Sequence, residues 1–457
     1  MRTLILLALG APGSAHAGGY LYSASGIVAT GRGGAWVAGA DTQFAQRFNP
    51  AGLVRVEAPT VNVGWSGVQQ NIEFRREKPF PETGFYKPAV NQAAPFSVPQ
   101  FGFSMPIGDQ FGFAFGFHSP FAPSSDYDPE GPQRYSVKDT SIIQFSLGPS
   151  LAWQPVEQFA IGVGVHYQLL HVEQSLDITY SGTDEPTGDI AIALGITDPV
   201  NVNFNVGILV EPIEQISIGA SFEPPYAYKA KGQAEVNFKG NAIEDVGLAT
   251  SKYVDESVLA TIELPMIIRG GIAVRPVPKL EIETAVVWQQ WSKNGDIPIE
   301  QVQFALDVEE PSFLAIIIPE EDRVIDQNFE IPQNFKDTVS YRLGAEYEIM
   351  DELDWRIGGF HETGALRPKH MDVSLVDPAK WQIGTGPTVW LMERKIRFDG
   401  AAAMLFFPDV DVTNSERIQT DAGVIDGVIP LTVGNGKYTS NGWIVGLQGS
   451  YLFRKKG

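Results

Sequence analysis

Beyond residue 58, apolar and polar residues alternate with a period of two, in segments joined by connections that are short and long in turn. A period of two predicts β-strands that have one apolar face. Short turns that alternate strictly with long loops are typical of outer-membrane barrels, which have tight periplasmic turns and long extracellular loops. The pattern therefore predicts an all-β fold, a single closed antiparallel transmembrane β-barrel.

We predict about fourteen strands, an even number within the range of bacterial outer-membrane barrels. Most of them exceed the roughly 9–11 residues that a tilted membrane strand needs. The predicted strands are Thr60–Phe74, Ser97–Ile107, Gln110–His118, Ser141–Gln154, Gln158–Tyr180, Asn201–Glu211, Gln215–Lys229, Ser257–Arg275, Lys279–Trp291, Lys336–Ile349, Glu352–Glu362, Lys380–Met392, Lys395–Phe407 and Asn441–Phe453. The predicted tight turns are Gly108–Asp109, Pro155–Glu157, Pro212–Glu214, Pro276–Pro278, Met350–Asp351 and Glu393–Arg394.

The first 17 residues have the pattern of an export signal. Arg2 supplies the basic start, residues 4–11 are mostly apolar, and Ala15-His16-Ala17 is a small-residue cleavage site. No other stretch approaches the roughly 18 apolar residues of a transmembrane helix. We therefore expect a protein of the outer membrane of a Gram-negative bacterium, exported by a signal peptide that is removed.

Composition excludes other classes of protein. The chain has no cysteine, so it has neither a disulfide framework nor a thiolate metal site. Its net charge of −21 argues against a nucleic-acid partner, because binding phosphates requires a basic surface. We expect no cofactor and no bound metal.

The segment before the barrel, Gly18–Glu57, lacks the alternation of a strand and is rich in glycine and alanine. A compact segment of this kind ahead of a barrel predicts a plug inside the lumen, which we call the hatch. Its last part contains Asn49, Pro50, Ala51 and Gly52. Asn-Pro also begins ordinary turns, but its place between signal and first strand favours a hatch turn. The expected domains are a signal (1–17), the hatch (18–57) and the barrel (58–457).

The alternation also predicts which side chains face lipid. In the strand Ser257–Arg275, the apolar residues Ile262, Leu264, Ile268 and Ile272 share one parity and are expected on the lipid face, opposite Arg269. Tryptophans in or beside strands are expected to form girdles at the membrane interfaces. These are Trp153, Trp288, Trp291, Trp355, Trp381, Trp390 and Trp443.

Four stretches, in this order along the chain, resemble the FadL/TodX family of outer-membrane transporters for hydrophobic compounds. They are the hatch with Gly31–Ala35 and Asn49–Leu53, the hairpin Phe101–Pro120, the hairpin Pro265–Trp291, and Phe335–Gly358. The resemblance implies a fourteen-stranded barrel with an N-terminal hatch. It also implies a monomer that contacts outer-membrane lipid and lipopolysaccharide.

The function that the resemblance implies is passive uptake. Outer loops catch a hydrophobic molecule, which moves to a pocket inside the barrel and leaves sideways through a gap at the third strand. Lateral exit has a physical reason, because an apolar solute that crossed the whole lumen would have to re-enter water. Long-chain fatty acids are the leading substrate, and alkanes or aromatic hydrocarbons are the alternative.

The third predicted strand alternates four phenylalanines with Gly112, Ala114, Gly116 and His118. Glycine weakens a strand and often marks a bulge or a close approach of another backbone. We hypothesise that Gly112, Ala114 and Gly116 face the hatch and permit a lateral gate. The alternative is tight packing on the hatch without any gap.

A fatty acid would need a buried cation for its carboxylate. The candidates of inward parity are Arg269, Arg342 and Arg356. Glu346 lies four residues from Arg342 on the same face, and Asp354 lies two residues from Arg356. Internal ion pairs are therefore an alternative use of these arginines.

Two predicted long loops hold apolar residues that are candidates for capturing cargo. They are Ile190, Ile192 and Leu194 in the loop 181–200, and Phe313, Leu314 and Ile316 in the loop 292–335. An exposed apolar patch usually marks a binding surface, although the loops could instead pack on themselves.

An enzyme is not expected. The chain has six histidines, and no serine-hydrolase elbow, phosphate loop or zinc-protease motif is present. A barrel phospholipase stays open, because its serine and histidine need not be adjacent in sequence. An adhesin whose loops bind a partner, and an open diffusion porin, are the remaining alternatives.

Overall fold

Fourteen antiparallel strands close into one barrel in the computed structural model, which confirms the predicted fold class. It describes residues 26–119, 124–179, 182–238, 252–305, 307–308, 324–331, 334–420 and 430–454. In chain order the wall strands are β1 (Thr60–Arg76), β2 (Phe96–Ile107), β3 (Phe111–His118), β4 (Asp139–Val156), β5 (Phe159–Thr179), β6 (Asp189–Ile213), β7 (Ile216–Glu223 and Tyr226–Asn237), β8 (Lys252–Leu264 and Ile267–Val277), β9 (Leu280–Gln289), β10 (Thr338–Met350), β11 (Leu353–Glu362), β12 (Lys380–Leu391), β13 (Ile396–Phe406) and β14 (Gly436–Leu452). The barrel closes where β1 pairs with β14.

The remaining elements are short. The hatch contains α1 (Ile27–Gly31), α2 (Ala45–Phe48) and the 3-10 helix Pro50–Arg55. The connections contain the 3-10 helices Pro186–Gly188, Trp291–Lys293 and Pro368–His370, and the strands Ala89–Val90, Ser124–Asp126, Ile297–Ala305, Val324–Ile331 and Val410–Val412. None of the helices in the described ranges has the length and apolar character needed to cross a membrane.

Every predicted tight turn lies at a strand junction, but the predicted loops 292–335 and 181–200 contain strands. Ile297–Ala305 and Val324–Ile331 lie in the first, and the second is largely part of the wall. The strand β6 starts at Asp189 rather than at Asn201. Gln168 of β5 pairs with Asn201, whereas Leu170 pairs with Asp198, so β6 contains one extra residue at this point. The extra residue is a β-bulge at Pro199, which has no N–H for the ladder and interrupts the alternation. Consequently Ile190, Ile192 and Leu194 lie in a strand, not in a loop.

The lipid face is predicted correctly only in the lower part of the wall. In β8, Ile268 and Ile272 are exposed outside the barrel as predicted, whereas Ile262 and Leu264 are buried. The pair Pro265-Met266 interrupts β8 between the two segments. One missing or added residue turns every following side chain to the other face of the strand. The even-numbered residues of β8 therefore face lipid on the periplasmic side of the break and the lumen on its extracellular side.

The neighbouring strands change faces in the same way. In β6, Ile208 is exposed on the periplasmic side of Pro199, and Ile192 is buried on its extracellular side. In β7, the break lies at residues 224–225, where two prolines separate exposed Ile218 from buried Tyr228. Three adjacent strands thus turn their apolar faces from lipid to lumen at a proline, toward the extracellular side of the barrel.

The predicted tryptophan girdle is partly wrong. Trp153, Trp355 and Trp381 are about half-exposed on the outside of the barrel. Trp291 and Trp390 are buried instead. Their indole N–H groups donate to the Gln289 side chain and to Asp354, because an indole in the interior needs an acceptor.

The described part of the hatch, residues 26–57, lies against the inner faces of strands all around the barrel. Residues 26–40 are buried without exception. Opposite the hatch, many strands present a glycine, and a Cβ atom added there would lie 2.0–2.5 Å from a hatch atom. We call these residues the glycine layer: Gly112, Gly162, Gly207, Gly219, Gly358 and Gly384. At Gly207 the nearest hatch atom is Oδ1 of the Asn49 side chain. At the other five positions wall and hatch meet backbone to backbone, at a distance that no other residue permits.

Gly207→Val is expected to push the hatch out of its place, because a Cβ at Gly207 would lie 2.0 Å from Oδ1 of Asn49. Overpacking of this kind costs about 1–3 kcal/mol. Thermal unfolding of the barrel, followed by heat-dependent gel mobility, should show the loss, together with faster proteolysis of the hatch. Gly195→Val is the control, since it lies on the same strand with nothing within 4 Å of the added Cβ. Equal behaviour of the two variants would contradict the close packing.

Candidate functional site

The hatch is fixed to the wall by a buried carboxylate. Glu283 of β9 accepts hydrogen bonds from the backbone N–H groups of Val37, Ala38 and Gly39, at 2.5, 2.9 and 2.9 Å. Three successive N–H groups form a concave site that suits an anion. Arg32 of the hatch also donates to Glu281, at 2.7 Å. We call this set of contacts the anchor, and it ties the hatch to β9.

The predicted hatch turn makes a second connection. Asn49 precedes the 3-10 helix, and its Oδ1 accepts from the N–H of Ala51 at 3.2 Å, as an N-cap does. Its Nδ2 donates to the carbonyl groups of Val37 and Ile208, at 2.9 Å each. Pro50 occupies the first position of the helix, where its missing N–H costs nothing. Asn49 therefore ties the hatch to β6.

A layer of polar side chains lies on the extracellular side of the glycine layer. Arg47 of the hatch and Arg269 of β8 both contact Oε2 of Glu223 in β7, at 3.0 and 3.2 Å. Asn203 donates to the other oxygen of Glu223 at 3.0 Å. Nη1 of Arg269 is buried and has no hydrogen-bond partner in the described part of the chain. We call Arg47, Arg269 and Glu223 the charge cluster.

The other two candidate arginines have different surroundings. Arg342 donates to Ser340 at 3.1 Å and lies 3.8 Å from Glu362. Fully buried Arg356 pairs with Asp399 at 3.1 Å. On β11, Arg356 precedes Gly358 of the glycine layer, and it therefore lies on the periplasmic side of the hatch.

The anticipated ion-pair partners of these two arginines are wrong. Glu346 contacts Arg32 of the hatch at 3.5 Å, not Arg342. Asp354 accepts from the indole of Trp390 at 2.8 Å, not from Arg356. Sequence reasoning also missed Arg47 and Glu283, because both bind residues that are far away in the sequence.

Above the charge cluster, the barrel interior is apolar. The inward residues of β5, β6, β7 and β8 form one buried cluster with residues of the extracellular connections. We call this buried apolar cluster the chamber, and its members include Leu176, Ile178, Ile190, Ile192, Leu194, Tyr228, Ile262, Leu264, Trp291, Leu366 and Leu375. The interior of an open diffusion pore is polar, so this lining does not suit a porin. The other loop candidates, Phe313, Leu314 and Ile316, lie outside the described residues.

Extracellular connections cover the chamber, and ion pairs and hydrogen bonds hold these connections to one another. Arg134 donates to Asp189 at the start of β6, at 2.5 Å. Arg76, at the end of β1, pairs with Asp184 at 2.8 Å. Tyr86 also donates to Asp184, and burial together with this hydrogen bond raises the pKa of Tyr86. These contacts join three connections over the end of the barrel.

The third strand has the two faces that were predicted. Phe111 and Phe115 are exposed outside, whereas Gly112, Ala114, Gly116 and His118 point inward. A Cβ at Gly112 would lie 2.0 Å from the carbonyl oxygen of Leu53, and one at Gly116 would lie 2.0 Å from Nε2 of Gln46. Ala114 is fully buried against the hatch cluster.

The wall has no break along Phe111–Phe117, because these seven residues of β3 pair with both β2 and β4, whereas His118 pairs with β4. The ladder ends above His118. There, within the described residues, 96–100 of β2 and 142–145 of β4 have no ladder partner on the edges that face each other. Ser119 donates to the carbonyl of Gln144 at 2.6 Å and forms the lower edge. We call this place the window.

A cavity of about 400 Å³ lies on the periplasmic side of the hatch. Its lining is polar and carries both signs of charge, with Asp41, Arg55, Glu346, Arg394 and Arg397 among its residues. An apolar molecule would gain little there, since every charged group would have to give up water. The two ends of the barrel therefore differ sharply in polarity.

Comparison with known proteins identifies relatives of this chain. The family model described as outer membrane protein transport protein (OMPP1/FadL/TodX) matches residues 9–453. The chain is 20% identical, over 363 residues, to the long-chain fatty acid transport protein of Salmonella typhi. The match covers 74% of this chain and 76% of that protein.

Solved structures share its fold. A FadL homologue of Pseudomonas aeruginosa is similar with a TM-score of 0.75 and 17% identity, over 95% of this chain and 100% of that chain. A toluene transporter of Ralstonia pickettii is similar with a TM-score of 0.63 and 15% identity, over 94% of this chain and 98% of that chain. Family and fold locate the protein in the Gram-negative outer membrane.

Glu283→Ala is expected to loosen the hatch, because it leaves the N–H groups of Val37, Ala38 and Gly39 without their acceptor. Hydrogen bonds to charged groups contribute about 1.5–3 kcal/mol each, so the anchor should fail in part. Conductance in planar lipid bilayers should show ion-permeable openings that the wild-type protein lacks. Glu348→Ala is the control, because that residue pairs only at the surface with Lys279 at 3.5 Å. If Glu283→Ala conducts no more than Glu348→Ala, the anchor does not hold the hatch.

Proposed function

The chain belongs to the outer membrane protein transport protein family (OMPP1/FadL/TodX), and on that premise we propose that it takes up long-chain fatty acids passively. The observation that carries the proposal is the apolar chamber. Loops cover it on the extracellular side, and the charge cluster and the hatch bound it on the periplasmic side. A carboxylate on an apolar chain matches both surfaces. The protein acts as a monomer, surrounded by lipid and lipopolysaccharide, and it is not an enzyme.

The route runs from the extracellular connections into the chamber, past the edge of the hatch at β3, and out through the window. Each CH₂ group that stays out of water contributes about 0.8 kcal/mol. A long chain that crossed the polar periplasmic cavity would lose this contribution. The window instead leads between β2 and β4 toward the lipid face, so the cargo stays in apolar surroundings.

Aromatic hydrocarbons or alkanes are the alternative cargo by the same route. The relative in Salmonella typhi is named for long-chain fatty acids, whereas the structure from Ralstonia pickettii is a toluene transporter. The charge cluster favours the fatty acid, because a neutral hydrocarbon offers no acceptor to Nη1 of Arg269. An adhesin is disfavoured, since Ile190, Ile192 and Leu194 face the chamber instead of solvent.

Expression in an Escherichia coli strain without its own long-chain fatty acid transporter tests the proposal. We expect growth on oleate as the carbon source and uptake of radiolabelled oleate well above the vector control. Uptake of toluene vapour by the same cells is measured in parallel. Uptake of toluene without oleate would replace the fatty acid by the aromatic alternative, and uptake of neither would reject the transporter.

Gly116→Phe is expected to block the passage beside β3, because a side chain at Gly116 projects into Gln46 of the hatch. Oleate uptake should fall at least about tenfold, the factor that corresponds to about 1.4 kcal/mol. Gly270→Phe is the control, as a Cβ there meets nothing within 4 Å. Both variants must reach the outer membrane in equal amounts. Unchanged uptake by Gly116→Phe would remove β3 from the route.

A further inference from the structure

We propose that residues 364–379 form a lid whose own apolar side chains occupy the place of the cargo's chain in the chamber, so that cargo binds by displacing them. The inference rests on the proposed function and adds to it the segment that sets affinity for the chain. The lid connects β11 to β12 on the extracellular side. Its ends are close together, because Glu362 and Lys380 are ladder partners on the two strands.

The inner side of the lid is apolar. Its buried apolar residues belong to the chamber, together with Ile192 of β6 and Ile262 of β8. Each of them is at most 2% exposed, and they are Ala365, Leu366, Met371, Val373, Leu375 and Val376. A connection that only joined two strands would run over the surface. The lid therefore fills part of the barrel interior.

A cargo chain needs room that the closed chamber does not offer. The chamber is a cluster of buried side chains that pack against one another, and protein interiors contain few voids larger than a water molecule. A long chain must therefore replace side chains that now fill the space. The wall does not release them easily, since β6 pairs with both β5 and β7. In the described part of the chain, the lid forms no ladder with a wall strand and has only the internal bridge between Asp372 and Leu375.

Buried charges hold the base of the lid. Oδ2 of Asp377 accepts from the N–H of Ala365 at 2.8 Å, and Oδ1 accepts from Nζ of Lys380 at 2.8 Å. Lys380 also lies 2.8 Å from Glu362. Hydrogen bonds of charged groups are about twice as strong as neutral ones. The two ends of the lid are thus fixed to each other and to the ends of β11 and β12.

The tip of the lid contacts the connection between β13 and β14. The carbonyl of Lys369 accepts from the N–H of Glu416 at 2.8 Å, and that of His370 accepts from Nε of Arg417 at 2.9 Å. The side chains of Lys369 and Glu416 form a partly exposed ion pair, and such pairs contribute little to stability. Rotation about the base therefore lifts the tip with the loss of a few contacts to one neighbouring connection.

Lifting the tip by the thickness of one chain makes room for the cargo between the lid and the wall. The apolar side chains of the lid then contact the cargo instead of the wall, so opening exposes little apolar surface to water. The lid competes with the cargo while it is closed, and it covers the cargo once it has opened. Affinity for the chain consequently depends on how well the lid fills the chamber by itself.

Locking the lid tests the displacement. Lys369→Cys together with Glu416→Cys places thiols on two residues whose backbones are hydrogen-bonded, a spacing that suits a disulfide, and the chain has no other cysteine. In the transporter-deficient cells, uptake of radiolabelled oleate by the oxidised protein should fall to the level of the vector control, and a reductant should restore it. The control pair is Ile418→Cys with Thr432→Cys, because these residues are paired within the neighbouring connection. Its disulfide should leave uptake unchanged.

Removing volume from the lid tests whether its side chains stand in for the cargo. Val373→Ala should lower the thermal stability of the ligand-free barrel, because the closed lid leaves a cavity that it does not fill. A flexible chain fills that cavity, so oleate and oleyl alcohol should both bind about fourfold more tightly, the factor for one further buried CH₂ group. Isothermal titration calorimetry of the purified barrel measures both affinities.

Val433→Ala is the matched control for this substitution. Val433 is 3% exposed in the connection between β13 and β14, and it lies outside the chamber. The change removes the same two methyl groups as Val373→Ala does. It should lower stability and leave the affinities for oleate and oleyl alcohol unchanged.

Full uptake by the oxidised lid variant, or no gain in affinity in Val373→Ala, overturns the lid while the uptake proposal stands, because wild type still takes up oleate. If wild type takes up no oleate, the uptake proposal fails, and binding of oleyl alcohol to the oxidised and the reduced lid variant then decides about the lid. Equal binding in the two states rejects it. Heat-dependent gel mobility verifies the fold of each variant, and Val373→Ala alone decides if the cysteine pair does not fold.

Discussion

The contact of hatch backbone with wall backbone is the constraint on which the rest of the structure depends. It exists because wall strands place glycine where the hatch passes, as Gly112, Gly162 and Gly358 do. A hatch seated this closely leaves little room in the lumen at its own level. Cargo must therefore stay on the extracellular side of the hatch or pass along its edge. The charge cluster lies on this extracellular side.

Prolines in three neighbouring strands give the barrel its second property, an interior that changes from polar to apolar. Along β6, β7 and β8 the apolar residues keep one parity, and the breaks at Pro199, residues 224–225 and Pro265 turn that parity from lipid to lumen. Below the breaks the apolar face stabilises the wall in the membrane. Above them the same kind of face lines the chamber, where it meets an apolar ligand.

Local sequence signals were enough to predict the barrel and its tight turns. They were not enough to predict the site, which depends on contacts between residues far apart in the chain. The strand number and tight turns follow from period-two alternation with proline and glycine, and the hatch turn follows from Asn49-Pro50. The inward face of Ile190 and Ile262 did not follow, since a single bulge reverses every later side chain. Glu283 and Arg47 were missed because each meets partners more than 170 positions away, and no local pattern records such a pairing.

The central claim is that the chamber on the extracellular side of the hatch is the cargo site. The most direct measurement is a crystal structure with a bromine-labelled long-chain fatty acid, located by anomalous scattering. The account predicts bromine peaks inside the chamber, the carboxylate at Arg47 and Arg269, and Glu283 still bound to Val37–Gly39. Peaks in the periplasmic cavity near Arg397, or a fatty acid in a lumen from which the anchor has been released, would contradict it.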